Sequence, residues 1–156
     1  IQSNMDHFLL EDGSVRYYDK QAYNLDFVNN GKSFLYLYQK TKDEKYKQAA
    51  DLLRSQLKEH PRTSEGGFWH KKVYANQMWL DGLYMAQPFY AEYSRLFEEE
   101  KSHPDVLKQF KLIDTHLKNP EAQLLYHGWD EKRECFWKFS FFSGLILIKI
   151  ILMLLE

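Results

Sequence analysis

Residues 66–72 read Gly-Gly-Phe-Trp-His-Lys-Lys, and residues 77–85 read Gln-Met-Trp-Leu-Asp-Gly-Leu-Tyr-Met. The first stretch has the glycines and charges of a loop, and the second opens a densely apolar helix that we predict over residues 76–97. Asp81 falls in the first turn of that helix. A carboxyl group among aromatic side chains must be paired, desolvated or used in chemistry. These two stretches therefore decide both the fold and the candidate site.

Apolar spacing predicts three further helices. Residues 22–39 are densely apolar, with Asn-Asn-Gly at residues 29–31 as a weak point for a helix. The next helix is expected to begin after Asp43 as its N-cap and to end before Pro61, with apolar side chains on one face. The last is expected over residues 102–117, with Ser102, Pro104 and Asp105 forming a capped start after the solvated segment 98–100.

Buried and amphipathic helices alternate along the chain. The predicted helices over residues 22–39 and 76–97 are apolar nearly all round, whereas the other two have a single apolar face. This alternation is typical of the inner and outer helices of a double-layered α/α toroid. A TPR-like array is the competing all-helical fold, although no repeat of fixed sequence is visible. With loops over residues 61–75 and 122–134, we predict one all-α domain over residues 1–137.

The composition excludes several classes of function. The chain has 156 residues and a net charge of −1, which does not favour nucleic acid or an anionic membrane surface as a partner. Cys135 is the single cysteine, so no internal disulfide is possible, and neither a zinc-type spacing nor a nucleotide-binding motif occurs. We therefore predict no metal and no cofactor. Aromatic residues make up 17% of the chain, which suits a large aromatic core or a carbohydrate site.

The end of the chain differs from the rest. Residues 139–155 are apolar apart from two serines, Gly144 and Lys149. A membrane span needs about 20 apolar residues, so a membrane anchor is the less favoured interpretation. Because the composition changes abruptly after Trp137, we interpret residues 138–156 as an atypical, frameshifted or artificial tail. The sequence leaves the compartment open between the cytoplasm and the periplasm.

Two carboxyl groups are the candidate catalytic residues. Asp26 and Asp81 each fall in the first turn of a predicted buried helix, and they meet across a pocket if both N-termini face one opening. Burial favours the neutral form of a carboxyl group and the helix dipole favours the ionised form. If burial dominates at Asp81, that residue can act as a general acid. The alternatives are an ordinary helix-terminal charge for Asp81, and capping or pairing with Lys32 or Arg16 for Asp26.

Basic and aromatic residues accompany the two acids. The cluster of His70, Lys71 and Lys72 can bind an acidic substrate or simply be solvated on a loop. His127, close to Trp129, can donate a hydrogen bond to a substrate or serve the structure. The residues alone leave these alternatives open.

Longer segments resemble a known enzyme family. Residues 60–85, His-Pro-Arg-Thr-Ser-Glu-Gly-Gly-Phe-Trp-His-Lys-Lys-Val-Tyr-Ala-Asn-Gln-Met-Trp-Leu-Asp-Gly-Leu-Tyr-Met, closely resemble the unsaturated rhamnogalacturonyl hydrolases. These are family 105 glycoside hydrolases, related to the unsaturated glucuronyl hydrolases of family 88. The segments at residues 24–32 (Asn-Leu-Asp-Phe-Val-Asn-Asn-Gly-Lys) and 127–131 (His-Gly-Trp-Asp-Glu) match as well. The resemblance covers about residues 12–134 and implies an (α/α)6 barrel, of which this chain would form a part.

The resemblance implies a reaction on disaccharides that form when bacteria degrade pectin with a polysaccharide lyase. Their terminal uronic acid carries a C4–C5 double bond left by a lyase. Asp81 would protonate C4, the same group would activate water for addition at C5, and the hemiketal would collapse to release the neighbouring sugar. Asp26 would orient the substrate and help to keep Asp81 protonated. By the same resemblance, the substrate would be bound by His127, Trp79, His70, Lys71 and Trp69.

A non-catalytic helical module that binds a glycan or a protein, anchored to a membrane through the tail, is the competing hypothesis. We also expect this chain to be inactive or nearly so by itself, because half of the barrel wall implied by the resemblance is absent. The inner helix faces left open in this way favour self-association.

Overall fold

A computed structural model of the chain describes residues 2–10, 12–121, 124–133 and 141–142. The α-helices are α1 (Gln2–Phe8), α2 (Leu25–Val28), α3 (Gly31–Thr41), α4 (Glu44–Glu59), α5 (Leu80–Phe97) and α6 (His103–Leu117), with one 3₁₀ turn at Lys20–Ala22. The strands are β1 (Gln77–Trp79), β2 (Lys118–Asn119), β3 (Leu124–Tyr126), β4 (Gly128–Asp130) and β5 (Phe141–Phe142).

Helix α5 lies at the centre of the helical packing. It contacts α2, α3, α4 and α6, while α3 and α4 form a helical hairpin beside it. The amphipathic helix α4 begins at Asp43, whose side chain accepts a hydrogen bond from the Lys45 amide, which confirms the predicted N-cap. Its apolar face is buried in the core through Tyr46, Ala49, Ala50, Leu53 and Leu57. Helix α5 is buried on most sides and α4 on one face, as predicted, whereas α3 is also buried on only one face, with Tyr36, Gln39 and Lys40 exposed.

The predicted helix over residues 22–39 is divided in two. Asn29 and Asn30 form a turn between α2 and α3. Asn24 caps α2, because its side chain accepts a hydrogen bond from the Asp26 amide. A Cβ on Gly31 would lie 2.3 Å from Cδ2 of the buried Phe89, so α3 restarts where its backbone packs directly on that ring. The Asn-Asn-Gly segment, expected to be a weak point, therefore does interrupt the helix, at the place where Gly31 contacts Phe89 of α5.

Short strands replace parts of the predicted helix and loops. Residues 77–79 form β1, which pairs antiparallel with β4 so that Trp79 lies opposite Gly128. The helix predicted from residue 76 consequently begins at Leu80. Asn76 has a left-handed backbone with φ of 63°, which is incompatible with a helix start there. A second sheet has the order β2-β3-β5, so the loop predicted over residues 122–134 was partly wrong.

The start of α6 differs in detail from its prediction. Ser102 makes no side-chain cap; its hydroxyl donates to Glu98 at 2.7 Å instead. Glu98 also accepts two hydrogen bonds from the buried Arg54, at 3.1 and 3.2 Å, so this residue is not part of a solvated end. Asp105 pairs with Arg62 at 2.7 Å rather than with the helix start. Glu98, at the end of α5, therefore binds Arg54 of α4 and Ser102 at the start of α6, and Arg62, which follows α4, forms an ion pair with Asp105 of α6.

We predict that acid destabilises the fold through these carboxylates. Burial raises the pKa of Asp105, but Arg62, Tyr90 and Gln109 outweigh it and hold that pKa below its ordinary value. The folded protein then binds protons less readily than the unfolded chain, so the stabilisation is present above about pH 4 and is lost as the pH falls through the lowered folded pKa. Urea unfolding midpoints should drop between pH 7 and pH 3.

The matched variants for this prediction are Asp105→Asn and Asp114→Asn, the second at an exposed position of α6. Asp105→Asn should lower the urea midpoint at pH 7 and flatten its pH dependence, whereas Asp114→Asn should leave both unchanged. An unaltered slope in Asp105→Asn would show that this carboxylate does not carry the effect.

In the residues that the structure describes, no helix combines the length and the apolar character needed to cross a bilayer. The prediction of an atypical tail over residues 138–156 falls outside the described residues, apart from β5, which pairs with β3. The boundary at residue 137 stays a prediction.

Candidate active site

The site is built where two helices begin side by side. Asp26 is the second residue of α2 and Asp81 the second residue of α5, and these two helices pack against each other. The loop that carries His70 lies between them. The His70 carbonyl accepts a hydrogen bond from the Leu25 amide at 3.1 Å, and the His70 amide donates to the Gln77 carbonyl at 2.8 Å. Backbone bonds therefore tie the histidine to the start of α2 and to β1.

The His70 ring stands between the two carboxyl groups. Its Nε2 lies 3.4 Å from Oδ1 of Asp26, and its Nδ1 lies 3.8 Å from Oδ1 of Asp81. One oxygen of each acid and one nitrogen of the ring lie within 4.8 Å of one another. The side chains of Asp26 and Asp81 are 36% and 37% exposed, whereas that of His70 is only 1% exposed. The acids thus border the solvent and the imidazole lies behind them.

Asp26 is held as an anion. Lys71 Nζ lies 2.7 Å from its Oδ2. The hydrogen bond from His70, followed by that from Lys71, lowers the pKa of Asp26 to about 2 against the opposing effect of burial. Of the alternative partners considered from the sequence, Arg16 donates to the His7 carbonyl and Lys32 lies over the Tyr84 ring. Asp26 is accordingly a negative charge in a local ion-pair network, and Asn24 supplies the cap.

An aromatic stack supports the histidine. The Trp79 ring lies parallel to the His70 ring at 4.4 Å, and the Tyr74 ring also stacks with Trp79, at 4.7 Å. The His127 ring is tilted against Trp79 at 5.3 Å. Tyr74 was not predicted as a site residue, because a tyrosine in an irregular loop has no periodic signal. The signal that could have indicated Tyr74 was its place five residues before Trp79, within the segment that resembles the enzyme family.

The remaining predicted residues are fixed mainly through the backbone. The His127 carbonyl accepts the hydrogen bond of the Leu80 amide at 2.7 Å, at the start of α5. The Trp69 carbonyl accepts from Nε2 of His60 at 2.7 Å. Trp129 stacks on His116 at 3.7 Å, so its ring is engaged by α6. His127 therefore borders the site through Trp79, and Trp69 precedes the central histidine in the same loop.

Close approach in the site depends on a glycine. A Cβ on Gly82 would lie 3.3 Å from Nδ1 of His70 and 3.2 Å from Cδ1 of Leu25. This spacing lets the first turn of α5 lie against the imidazole. The nearer ring nitrogen differs for the two acids: Nε2 lies nearer to Asp26 and Nδ1 lies nearer to Asp81. These three side chains have the chemistry and the spacing to hold a metal ion, so the predicted absence of a metal stays a prediction.

The chain matches a family of glycoside hydrolases. The profile of Glycosyl Hydrolase Family 88 matches residues 1–140. The chain belongs to that family, which confirms the relationship expected from the sequence.

Three relatives place the chain more closely. It is 32% identical over 117 residues to the unsaturated rhamnogalacturonyl hydrolase YesR of Bacillus subtilis (strain 168), over 71% of this chain and 34% of YesR. It superimposes on a family 105 glycoside hydrolase of C. acetobutylicum ATCC 824 with a TM-score of 0.85 and 44% identity, over 92% of this chain and 40% of that one. A possible family 105 member from Klebsiella pneumoniae subsp. pneumoniae MGH 78578 superimposes with a TM-score of 0.65 and 25% identity. That match covers 70% of this chain and 30% of the Klebsiella chain.

These matches confirm the all-α fold as part of an α/α barrel. The two small sheets were not predicted from the sequence. The chain spans about a third of YesR and two fifths of the C. acetobutylicum structure.

Proposed function

We propose that this chain supplies the catalytic acids of a glycoside hydrolase that hydrates Δ4,5-unsaturated uronic acids at the end of lyase-generated disaccharides. The observation that carries the proposal is the placement of Asp26 and Asp81, from separate helices, on either side of one buried histidine within 4.8 Å. The similarity to an unsaturated rhamnogalacturonyl hydrolase supports this substrate class.

Asp81 is the proposed proton donor. Its carboxyl group would give a proton to C4 of the vinyl ether, and the positive charge that develops at C5 would be shared with the ring oxygen. The Asp81 carboxylate would then take a proton from a water molecule as that water bonds to C5. The hemiketal formed at C5 opens and releases the neighbouring sugar, rhamnose in the pectin-derived case. Asp81 ends the cycle protonated, as it began.

Asp26 and Lys71 would orient the substrate. Asp26 is anionic and 36% exposed, so it can accept hydrogen bonds from sugar hydroxyl groups. Lys71 is 26% exposed and offers a cation beside it, which suits the carboxylate of a uronic acid. Trp79, flanked by Tyr74 and His127, provides an aromatic border for the apolar face of a sugar ring. Trp69 lies in the same loop as Lys71 and is proposed as a further contact to the sugar.

The test uses a completed barrel, in which residues 12–133 replace their counterpart in the C. acetobutylicum relative. Incubation with an unsaturated rhamnogalacturonan disaccharide should remove the ultraviolet absorbance of the conjugated double bond and release rhamnose. A saturated disaccharide of the same composition is the matched control and should not be cleaved. Binding of the unsaturated sugar without loss of absorbance would contradict the proposal and favour a non-catalytic glycan-binding module.

This chain by itself is expected to turn over little or no substrate, because it contains only part of the barrel found in its relatives. Turnover by the isolated chain at a rate close to that of the completed barrel would overturn this expectation. Size-exclusion chromatography of the isolated chain tests the expected self-association.

A further inference from the structure

A buried nitrogen of His70 faces a carboxyl group without a hydrogen bond to it. The start of α2, the loop before β1 and the start of α5 supply Asp26, His70 and Asp81, and one ligand-type atom of each lies within 4.8 Å of the other two. Nδ1 of His70 and Oδ1 of Asp81 have no hydrogen-bond partner among the residues that the structure describes. They are 3.8 Å apart, which is too long for a hydrogen bond but leaves room for an atom that contacts both.

The distances within this group suit the ligands of a small metal ion. Zinc bonds to imidazole nitrogen and carboxylate oxygen are about 2.0–2.2 Å long, so two ligands lie about 3.3–3.6 Å apart at the tetrahedral angle and up to about 4.4 Å apart at wider angles. Nε2 of His70 lies 3.4 Å from Oδ1 of Asp26, and Nδ1 lies 3.8 Å from Oδ1 of Asp81. An approach of about 1 Å by one carboxylate brings the longest separation into this range.

We propose that Asp26, His70 and Asp81 bind a zinc ion, and that zinc inhibits the proposed hydration by occupying both acids. One ring nitrogen and one oxygen from each acid supply three ligands. Water would complete the coordination, because the two carboxylates border the solvent. The ion is an inhibitor and not a cofactor, since the proposed hydration needs no metal. The inhibition rests on the proposed function, whereas zinc binding does not.

The charges of the site favour a divalent cation. Metal ions bind carboxylates in their ionised form, so two ligands of the group carry negative charge when the ion is bound. Lys71 balances only one of these charges. Its Nζ contacts Oδ2 of Asp26 at 2.7 Å, whereas the histidine faces Oδ1, so the lysine leaves that oxygen available to the ion. Such a contact to the far oxygen of a ligand also fixes its orientation.

The mixture of nitrogen and oxygen ligands selects zinc over magnesium. Imidazole nitrogen suits zinc, whereas magnesium and calcium prefer oxygen ligands. Zinc has no geometric preference from its d electrons, so it tolerates the wide angle at the Asp81 side. The His70 ring is held in place by stacking on Trp79 and by the backbone bonds of His70 to Leu25 and Gln77. The nitrogen ligand is therefore positioned before any ion arrives.

A bound zinc ion would block both proposed functions of the acids. The Asp81 oxygen that binds zinc cannot carry the proton for C4, and the Asp26 oxygen that binds zinc cannot accept a hydrogen bond from a sugar hydroxyl. Saturating zinc should therefore reduce turnover by the completed barrel at least about 100-fold, the usual contribution of a general acid. EDTA should restore the rate, and magnesium at the same concentration should have no effect.

Isothermal titration calorimetry of the isolated chain with zinc chloride tests binding without any substrate. Asp26→Asn and Asp81→Asn should each weaken the tightest site at least about tenfold, because even an outer partner of a metal ligand is worth about 10–100-fold in affinity. Glu65→Gln is the matched control. Glu65 pairs with His116 at 2.8 Å, so this variant removes a carboxylate beside a histidine far from the acids and should leave the affinity unchanged.

Nitrogen-15 NMR gives a second measurement that needs no variant. Zinc should shift the ring nitrogens of His70, identified by NOE contacts with Trp79, and leave those of His60 in place, since its Nε2 is bonded to the Trp69 carbonyl. A His70 ring unaffected by zinc, or equal zinc affinity in the parent and both Asp variants, would overturn the proposal and show that water alone fills the gap. Magnesium binding as tight as zinc would overturn it as well.

The outcomes for binding and for function can be separated. Zinc binding with the expected loss in both Asp variants, in a completed barrel that does not hydrate the unsaturated sugar, would count against the proposed function alone. Hydration that continues at a zinc concentration that saturates the site would overturn the inhibition.

Discussion

Replacing Asp81 by asparagine in the completed barrel is expected to reduce kcat by about 10³-fold or more and to leave KM within a few-fold of its original value. The amide keeps the size and the hydrogen-bonding reach of the carboxyl group, but it can neither give a proton to C4 nor take one from water. Because Asp81 is 37% exposed at the start of α5, the change removes no core packing. Kinetics that follow the absorbance of the double bond measure both parameters.

The control for this prediction is Asp114→Asn, which removes the same charge from an exposed position of α6. It should retain the original kcat, and both variants should have the melting temperature of the parent within a few degrees. An Asp81→Asn enzyme that keeps the parental kcat would exclude this residue as the proton donor. A large rise in KM at constant kcat would instead assign Asp81 to substrate binding.

The sequence predicted the placement of the acids better than their environment. Asp26 and Asp81 were expected in the first turns of two helices, and both lie there. The prediction succeeded because the start of an apolar helix can be recognised from local spacing. The role of His70 could not be predicted in this way. It depends on a loop that hydrogen bonds to Leu25 and Gln77, residues distant in the sequence, so its burial is a tertiary property. A basic loop cluster looks solvated until those contacts are known.

The small sheets were missed for a related reason. Met78 and Trp79 are apolar and directly precede the apolar residues of the helix, so the helical pattern extends over them. Their strand conformation comes from pairing with residues 128–130, about fifty positions further along the chain. The same pairing places Trp79 beside His127. The position of Trp79 beside His127 therefore depends on pairing between two distant strands, which a local stretch of sequence does not reveal.

The packing of α3 against α5 leads to the second large effect. Phe89 is fully buried, and its ring lies against the backbone of Gly31. Phe89→Ala should destabilise the fold by about 3–5 kcal/mol, since it removes buried surface and leaves a cavity. Gly31→Ala should cost about 1–3 kcal/mol by overpacking, because its new Cβ would lie 2.3 Å from Cδ2 of Phe89 and a ring in a filled core cannot move away freely.

The double variant distinguishes this contact from general damage to the core. In Gly31→Ala/Phe89→Ala the new methyl group enters space that the ring has left, so the overpacking cost disappears and the residual cavity is smaller. We expect the combined loss of unfolding free energy to be less than the sum of the two single losses by at least about 1 kcal/mol. Lys40→Ala, exposed on the same helix, should instead be additive with Phe89→Ala within about 0.5 kcal/mol. Urea unfolding of the parent, the three single variants and the two double variants measures both couplings, and additivity of the Gly31 pair would contradict the packing of α3 on α5 described above.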